Sequence, residues 1–284
     1  MGAAGLIDIK RRLKSVQSTK KITNAMGLVA TSKLRKCRKE LANNSSFYQE
    51  IDKTMQLLIP VVKRDYNMPC IFGNESDRKL YVVITSDSGL CGGYNNNVTT
   101  YLEETIKDFK DKADVILVGI KGLSYAKKYG FNIVEKYTDI PDIPTVKEVK
   151  EICDKFIKLF NEGKASEVNI VYTKFISPIK QSVLIEKLLP LEEKQIENAS
   201  EPTVDGEIPE IMNDALDVYT KGKLLSFLLS SKCSEQSSRM TAMDGATSNA
   251  NDLIKALNLS FNRIRQAVIT QEISEIVGGA EAQK

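Results

Sequence analysis

The chain has 284 residues, 42% hydrophobic and 27% charged, as in a folded globular protein and unlike a disordered or collagen-like one. It contains no histidine, so histidine-based triads, histidine-ligated metals and histidine general bases are excluded at the outset. The net charge of +3 conceals an asymmetry: the first 41 residues hold 11 Lys/Arg against two acids, 42–206 hold 21 against 25, and 207–284 hold 8 against 10. A basic arm on a slightly acidic body could meet nucleic acid, anionic lipid or an acidic protein surface, and charge alone does not choose among them.

No run approaches the roughly 18 consecutive apolar residues of a spanning helix, and the first thirty residues carry charges where a signal peptide has its apolar core. Neither secretion nor membrane insertion is expected. The five cysteines (Cys37, Cys70, Cys91, Cys153, Cys233) are scattered and never form a C-x-x-C pair, so neither a disulfide framework nor a zinc site is indicated, and a reducing cytoplasm fits.

All eight prolines lie between Pro60 and Pro209, which permits very long helices at both ends. In the first segment, positions 6, 9, 13, 16, 20, 23, 27, 30, 34, 37 and 41 alternate steps of three and four and read Leu, Ile, Leu, Val, Lys, Thr, Gly, Ala, Leu, Cys, Leu. That is a coiled-coil seam with a polar, small-residue centre. The basic residues thread through this seam with no aromatic before Phe47, which argues against a base-stacking surface.

A strand-like run at 79–87 (KLYVVITSD) opens the middle of the chain and leads into the glycine-rich stretch SDSGLCGGYN at 86–95. Its place between a strand and a helix favours phosphate binding, but the spacing is not G-x-G-x-x-G and no Lys-Ser/Thr follows. A tight turn with positive φ at Gly89, Gly92 or Gly93 is the simpler reading. Cys91 has no base beside it, and Asp87 is a single carboxylate without a partner acid. Further strand-like runs occur at 113–120, 132–138, 167–176 and 181–191, with helix-like segments at 98–109, 121–129 and 146–160. This alternation predicts a small α/β domain with a largely parallel sheet, closed by a hairpin turning at 177–180.

Residues 192–209 read as a surface loop. In the last segment, positions 240, 243, 247, 250, 254, 257, 261, 264, 268 and 271 repeat the three–four alternation. Each helix alone would expose its apolar stripe, so the two are expected to pair in an antiparallel coil. The expected organisation is a coiled-coil helix over 1–60, a Rossmann-like α/β domain over 61–209 and a second coiled-coil helix over 210–284. On residues alone, a nucleotide-binding α/β enzyme with helical extensions and a nucleic-acid-binding coiled coil stay open beside a structural shaft.

Four stretches in order closely resemble the gamma subunit family of the F-type ATP synthases: 9–36 with its IT-x-AM-x-x-VA-x-SK pattern at 22–33, 86–98, 234–254, and ITQEISEIVGGAEA at 269–282. The resemblance covers nearly the whole chain. Ser88 departs from it, standing where the family often has arginine, and the inserted cysteine pair of chloroplast members is absent.

The resemblance implies a central rotor shaft without catalytic residues, cofactor or metal, whose partners are the alpha and beta subunits, the epsilon subunit and the membrane c-ring, with no nucleic acid. It implies a peripheral place on the cytoplasmic face of the bacterial plasma membrane. It carries contacts with beta onto Met26, Arg265, Gln266, Thr270 and Glu272, and places the acidic loop bearing Glu201 and Asp205 at the foot, near the c-ring and epsilon. Lys20, Thr23, Gly27 and Ala30, with Gly245, Ala246, Ser248 and Ala250, are expected to line a low-friction surface on the shaft.

Overall fold

The computed structural model describes residues 2–62, 66, 68–192 and 206–282. Its elements in chain order are α1 (Gly2–Leu58), α2 (Pro69–Phe72), β1 (Lys79–Ile84), α3 (Tyr94–Ile106), β2 (Ala113–Val118), α4 (Gly122–Tyr129), β3 (Asn132–Tyr137), α5 (Val146–Asn161), β4 (Glu167–Phe175), β5 (Gln181–Leu189) and α6 (Ile208–Ala282). They form two compact units, one of Met1–Ala30 with Met240–Lys284 and one of Thr31–Arg239.

In the first unit α1 and α6 pair antiparallel. The Thr23 and Thr247 hydroxyls lie 2.7 Å apart, and a Cβ built on Gly27 would sit 3.5 Å from that of Met243. In both pairs the residue numbers add to 270, which is how an antiparallel register reads in sequence. Every seam position expected on this part of α1 is buried or half-buried, as are those on α6 except Gln271, which is exposed. The six basic residues of α1 in this unit point outward except Lys20, which is half-buried. Solvent therefore takes the charge while the seam takes the apolar groups.

The second unit is a five-stranded sheet in the order β3-β2-β1-β4-β5. β1, β2, β3 and β4 run parallel, and β5 returns antiparallel to β4 through the expected hairpin. β1 is buried along nearly its whole length because both faces are covered, as its continuous apolar run implies. On one face, Leu80, Val82, Ile84 and Ile170 meet Ile152, Phe156 and Phe160 of α5, and the same cluster takes in Met55 of α1 and Leu216 and Phe227 of α6. On the other face, Tyr81, Val83, Val115 and Leu117 meet Val98, Leu102 and Ile106 of α3 and Ala126 of α4.

α5 starts on a capping box: Thr145 accepts from the Lys147 amide, and the Glu148 side chain returns to the Thr145 amide. α3 begins at Tyr94, four residues before the segment expected from sequence. α6 includes Pro209 in its first turn, where a missing amide hydrogen costs nothing. Gly119 at the end of β2 has φ +94°, and a Cβ there would lie 2.4 Å from the Thr85 carbonyl oxygen, so the close approach of β1 and β2 at this end requires glycine.

Candidate partner-contact site

The partner-contact residues expected from sequence fall at two levels of the first unit. Met26 is half-buried on α1, one residue from the Gly27–Met243 contact. It lies in an outward row with Ile22 and Val29, which are 60% and 55% exposed. Arg265, Gln266, Thr270 and Glu272 are exposed on α6, between 22 and 29 residues beyond Met243, or roughly 33–44 Å along a helix. They form a second patch rather than one site with Met26. Starting among them and running on, Ile269, Ile273, Ile276 and Val277 make an exposed apolar stripe at helical spacing. Glu201 and Asp205 lie outside the described residues.

The low-friction surface requires correction. Thr23, Ala30 and Ala250 are buried between α1 and α6, and Gly27 is buried against Met243 and Asp244. These small residues let the two helices approach and do not face outward. Of the residues named for that surface, Gly245 and Ser248 are the exposed ones, with Lys20 and Ala246 half-buried.

The glycine-rich turn in the second unit is closed by its own side chains. Asn95 Oδ1 accepts the Ser86 amide at 2.9 Å, Asn95 Nδ2 donates to Ser86 Oγ at 2.8 Å, and Ser86 Oγ donates to the Ser88 carbonyl at 2.8 Å. Positive φ falls at Leu90 and Gly92, not at Gly89 or Gly93. A phosphate cradle directs amide hydrogens at its ligand. Here the turn offers carbonyl oxygens to a cation of α6: Arg239 donates to the Ser88 carbonyl and hydroxyl, each at 3.0 Å, and to the Gly89 carbonyl at 3.2 Å. Ser88, the departure from the family pattern, is thus an acceptor for Arg239. Asp87 is committed as well, taking the amides of Ile120 at 3.1 Å and Ile140 at 3.2 Å.

Behind the turn lies a buried ionic junction that periodicity does not reveal. Glu235 accepts from Arg239 at 2.8 Å and lies 3.7 Å from Lys232. Lys232 donates to the Ile140 carbonyl at 3.0 Å and sits 3.9 Å from Asp87. All three α6 residues are buried. On an adjoining face, Asp142 pairs with Lys33 at 2.8 Å and accepts from Gln236 at 2.9 Å, while the Cys37 thiol donates to its carbonyl at 3.3 Å. Hydrogen bonding from Cys233 pulls the Cys37 thiol below its ordinary pKa. The only signal in the sequence is compositional: 230–238 is rich in small polar residues, which is what allows burial on every side.

These arrangements have the chemistry of interlocking and contact. Among the described residues no group of three or more His, Cys, Asp or Glu is placed to hold a metal ion, and no helix is long and apolar enough to cross a membrane.

Residues 5–283 match the ATP synthase family model. The chain is 55% identical over 284 residues to the ATP synthase gamma chain of Clostridium botulinum (strain Eklund 17B / Type B), and 54% identical over 286 residues to that of Clostridium beijerinckii, with all of both chains covered in each case. A chain of the Euglena gracilis mitochondrial ATP synthase, solved with OSCP, F1 and c-ring, is similar in fold at TM-score 0.72 and 18% identity, covering 99% of this chain and 95% of that one. A chain of the Tetrahymena thermophila mitochondrial ATP synthase central stalk and c-ring is similar at TM-score 0.63 and 24% identity, covering 79% and 99%. Over its whole length, then, through paired terminal helices as well as sheet, the chain belongs to the ATP synthase gamma chain family.

Proposed function

We propose that the chain is the central-stalk rotor of an F-type ATP synthase, transmitting torque between an ion-driven c-ring and a catalytic hexamer of alpha and beta subunits. The observation that carries this reading is the antiparallel pair of α1 and α6 with exposed, partly apolar α6 residues beyond it, in a chain that matches gamma chains end to end. The role is non-catalytic, with the active sites on beta: the glycine-rich turn is filled by Arg239 and Asp87 is held by two amides.

Met26, Arg265, Gln266, Thr270 and Glu272 engage beta in this proposal, at two separate levels. The outward cations of α1 attract acidic segments of beta and steer their approach. Glu201 and Asp205 belong to the foot, with epsilon and the c-ring. The complex holds the subunit peripherally at the cytoplasmic face of the bacterial plasma membrane.

The test is reconstitution in vesicles. The purified chain alone should show no ATP turnover, and gradient-driven ATP synthesis by its partner subunits should be lost when it is omitted and return when it is added back. Synthesis that persists without the chain, or substantial turnover by the chain alone, refutes the proposal.

A further inference from the structure

In the second unit a polar chain of three hydrogen bonds and one ion pair crosses four elements. It begins at Tyr172 of β4, whose hydroxyl donates to Glu186 Oε1 of β5 at 2.5 Å. Glu186 Oε2 lies 3.6 Å from Lys223 Nζ on α6. Lys223 donates to the Tyr48 hydroxyl on α1 at 2.5 Å, and Tyr48 passes its own hydrogen to Asp52 one turn further on, at 3.0 Å.

Around the ammonium stand three rings, Tyr48 at 4.8 Å, Phe227 at 5.6 Å and Tyr219 at 6.0 Å. Tyr219 and Phe227 flank Lys223 by four residues on each side, so one face of α6 supplies the cation and two walls of its cage. The Lys223 side chain is only 13% exposed. Burial raises the Tyr48 and Tyr172 hydroxyls far above their ordinary range, so both remain donors.

We infer that Lys223 is a positioning residue of the rotor, the cross-brace that ties the β4–β5 hairpin to both terminal helices so that force on the sheet turns α1 and α6 together. This rests on the rotor reading above. Apolar contacts between a helix and a sheet are non-directional and tolerate sliding. A charge-assisted hydrogen bond in a closed cage is directional and resists it. Tyr172 packs on Phe227 with ring centroids 4.4 Å apart, which fixes the hairpin end of the brace against α6.

The experiment compares ions transported per ATP with ATP hydrolysis by the complete synthase in vesicles, carrying wild-type chain, Lys223→Met or Lys223→Arg. The methionine variant keeps the stem and removes the charge; hydrolysis should stay within about twofold of wild type while transport per ATP falls at least threefold. Arginine, which retains the cation over the rings, should restore transport to within about twofold. A methionine variant that pumps as well per ATP as wild type overturns the inference, even if its chain melts earlier, because a merely stabilising lysine would give that result. Should it fail to assemble, Tyr172→Phe, which removes only the first hydroxyl of the brace, decides on the same measure: a drop of about twofold or more supports the brace and an unchanged ratio overturns it. If the wild-type synthase pumps equally well without this chain, the rotor reading fails and the brace with it.

Discussion

Glu235→Gln tests whether the buried junction is held by shared charge. The substitution keeps the shape and removes the one carboxylate that serves both Arg239, at 2.8 Å, and Lys232, at 3.7 Å. Breaking a buried ion pair by removing one partner typically costs about 3–5 kcal/mol, because the remaining charge is left in a poorly solvating environment. The lower end applies here. Lys232 keeps the Ile140 carbonyl and the more distant Asp87, and Arg239 keeps three oxygens of the glycine-rich turn. The expected loss is therefore about 3 kcal/mol. Urea unfolding followed by tyrosine fluorescence is the natural assay, since all ten tyrosines lie within 31–239 and tryptophan is absent, so the signal reports on the unit that contains the junction. The midpoint should fall with an unchanged slope. Adding Arg239→Met removes one of the stranded cations, so the double variant should lose at least about 1 kcal/mol less than the two single losses combined. A cost below about 1 kcal/mol for Glu235→Gln, or simple additivity, would refute the reasoning.

Three further outcomes are expected. Gly119→Ala should cost at least about 3 kcal/mol, from positive φ together with overlap on the Thr85 backbone, whereas Gly130→Ala, with φ +68° and nothing within 4 Å of the new Cβ, should cost only about 1–2 kcal/mol; equal losses by urea unfolding would show that the overlap does not matter. Burial alone would raise the Asp114 carboxyl, but hydrogen bonds from Arg78 and Asn132 outweigh it and hold the group below its ordinary pKa. This stability is present above the unfolded carboxylate pKa and lost as pH falls through the folded one, so the wild-type advantage over Arg78→Met should be full at neutral pH and shrink in acid; a gap that widens in acid contradicts the assignment. With cysteine at Val16, a short bis-thiol crosslinker should capture a cysteine scanned along α6 most efficiently near Ile254, the position that completes 270, and near Leu257 when the first cysteine moves to Leu13; a window that moves the other way refutes the antiparallel register.

The seams were legible because packing on one side only leaves a period in the sequence. Leu6 to Leu41 and Met240 to Val268 each need one apolar stripe, and spacing reports it directly. The strands were legible because β1 and β2 are buried on both faces and must be apolar throughout. What a seam position faces was less legible: Thr23, Gly27 and Ala30 suit an outward low-friction surface as well as a close helix–helix contact, and composition does not separate the two. The turn at 86–95 was legible as a turn, but the residue that fills it, Arg239, is about 150 positions away in sequence and stands in no local pattern. Leu90 at φ 61° could not be anticipated, since three neighbouring glycines offered positive φ at lower steric cost.

α6 shows why periodicity speaks for only part of a long helix. Residues 231–237 are buried without interruption, so no stripe exists to detect, and small polar residues satisfy themselves against β4: Ser230 and Ser231 take the Phe175 and Thr173 amides, and Ser234 gives its hydrogen to the Thr173 carbonyl. From Met240 to Val268 one face is covered and the three–four rhythm is clear. From Ile269 onward every residue with a described side chain is exposed, and the apolar positions keep helical spacing although none of the described residues covers them. A stretch in the middle regime can be read from spacing alone. The first regime requires knowledge of distant partners, because its polar groups are tolerated only where each finds a specific bond. The last, under the rotor reading, answers to a surface outside the chain, because an exposed row of Ile269, Ile273 and Ile276 is not stabilised by any described residue. Under the rotor reading these are the opposite demands on one shaft: where it joins its own sheet, specific bonds that prevent slip, and where it meets a hexamer, apolar contact that carries load without fixing one orientation.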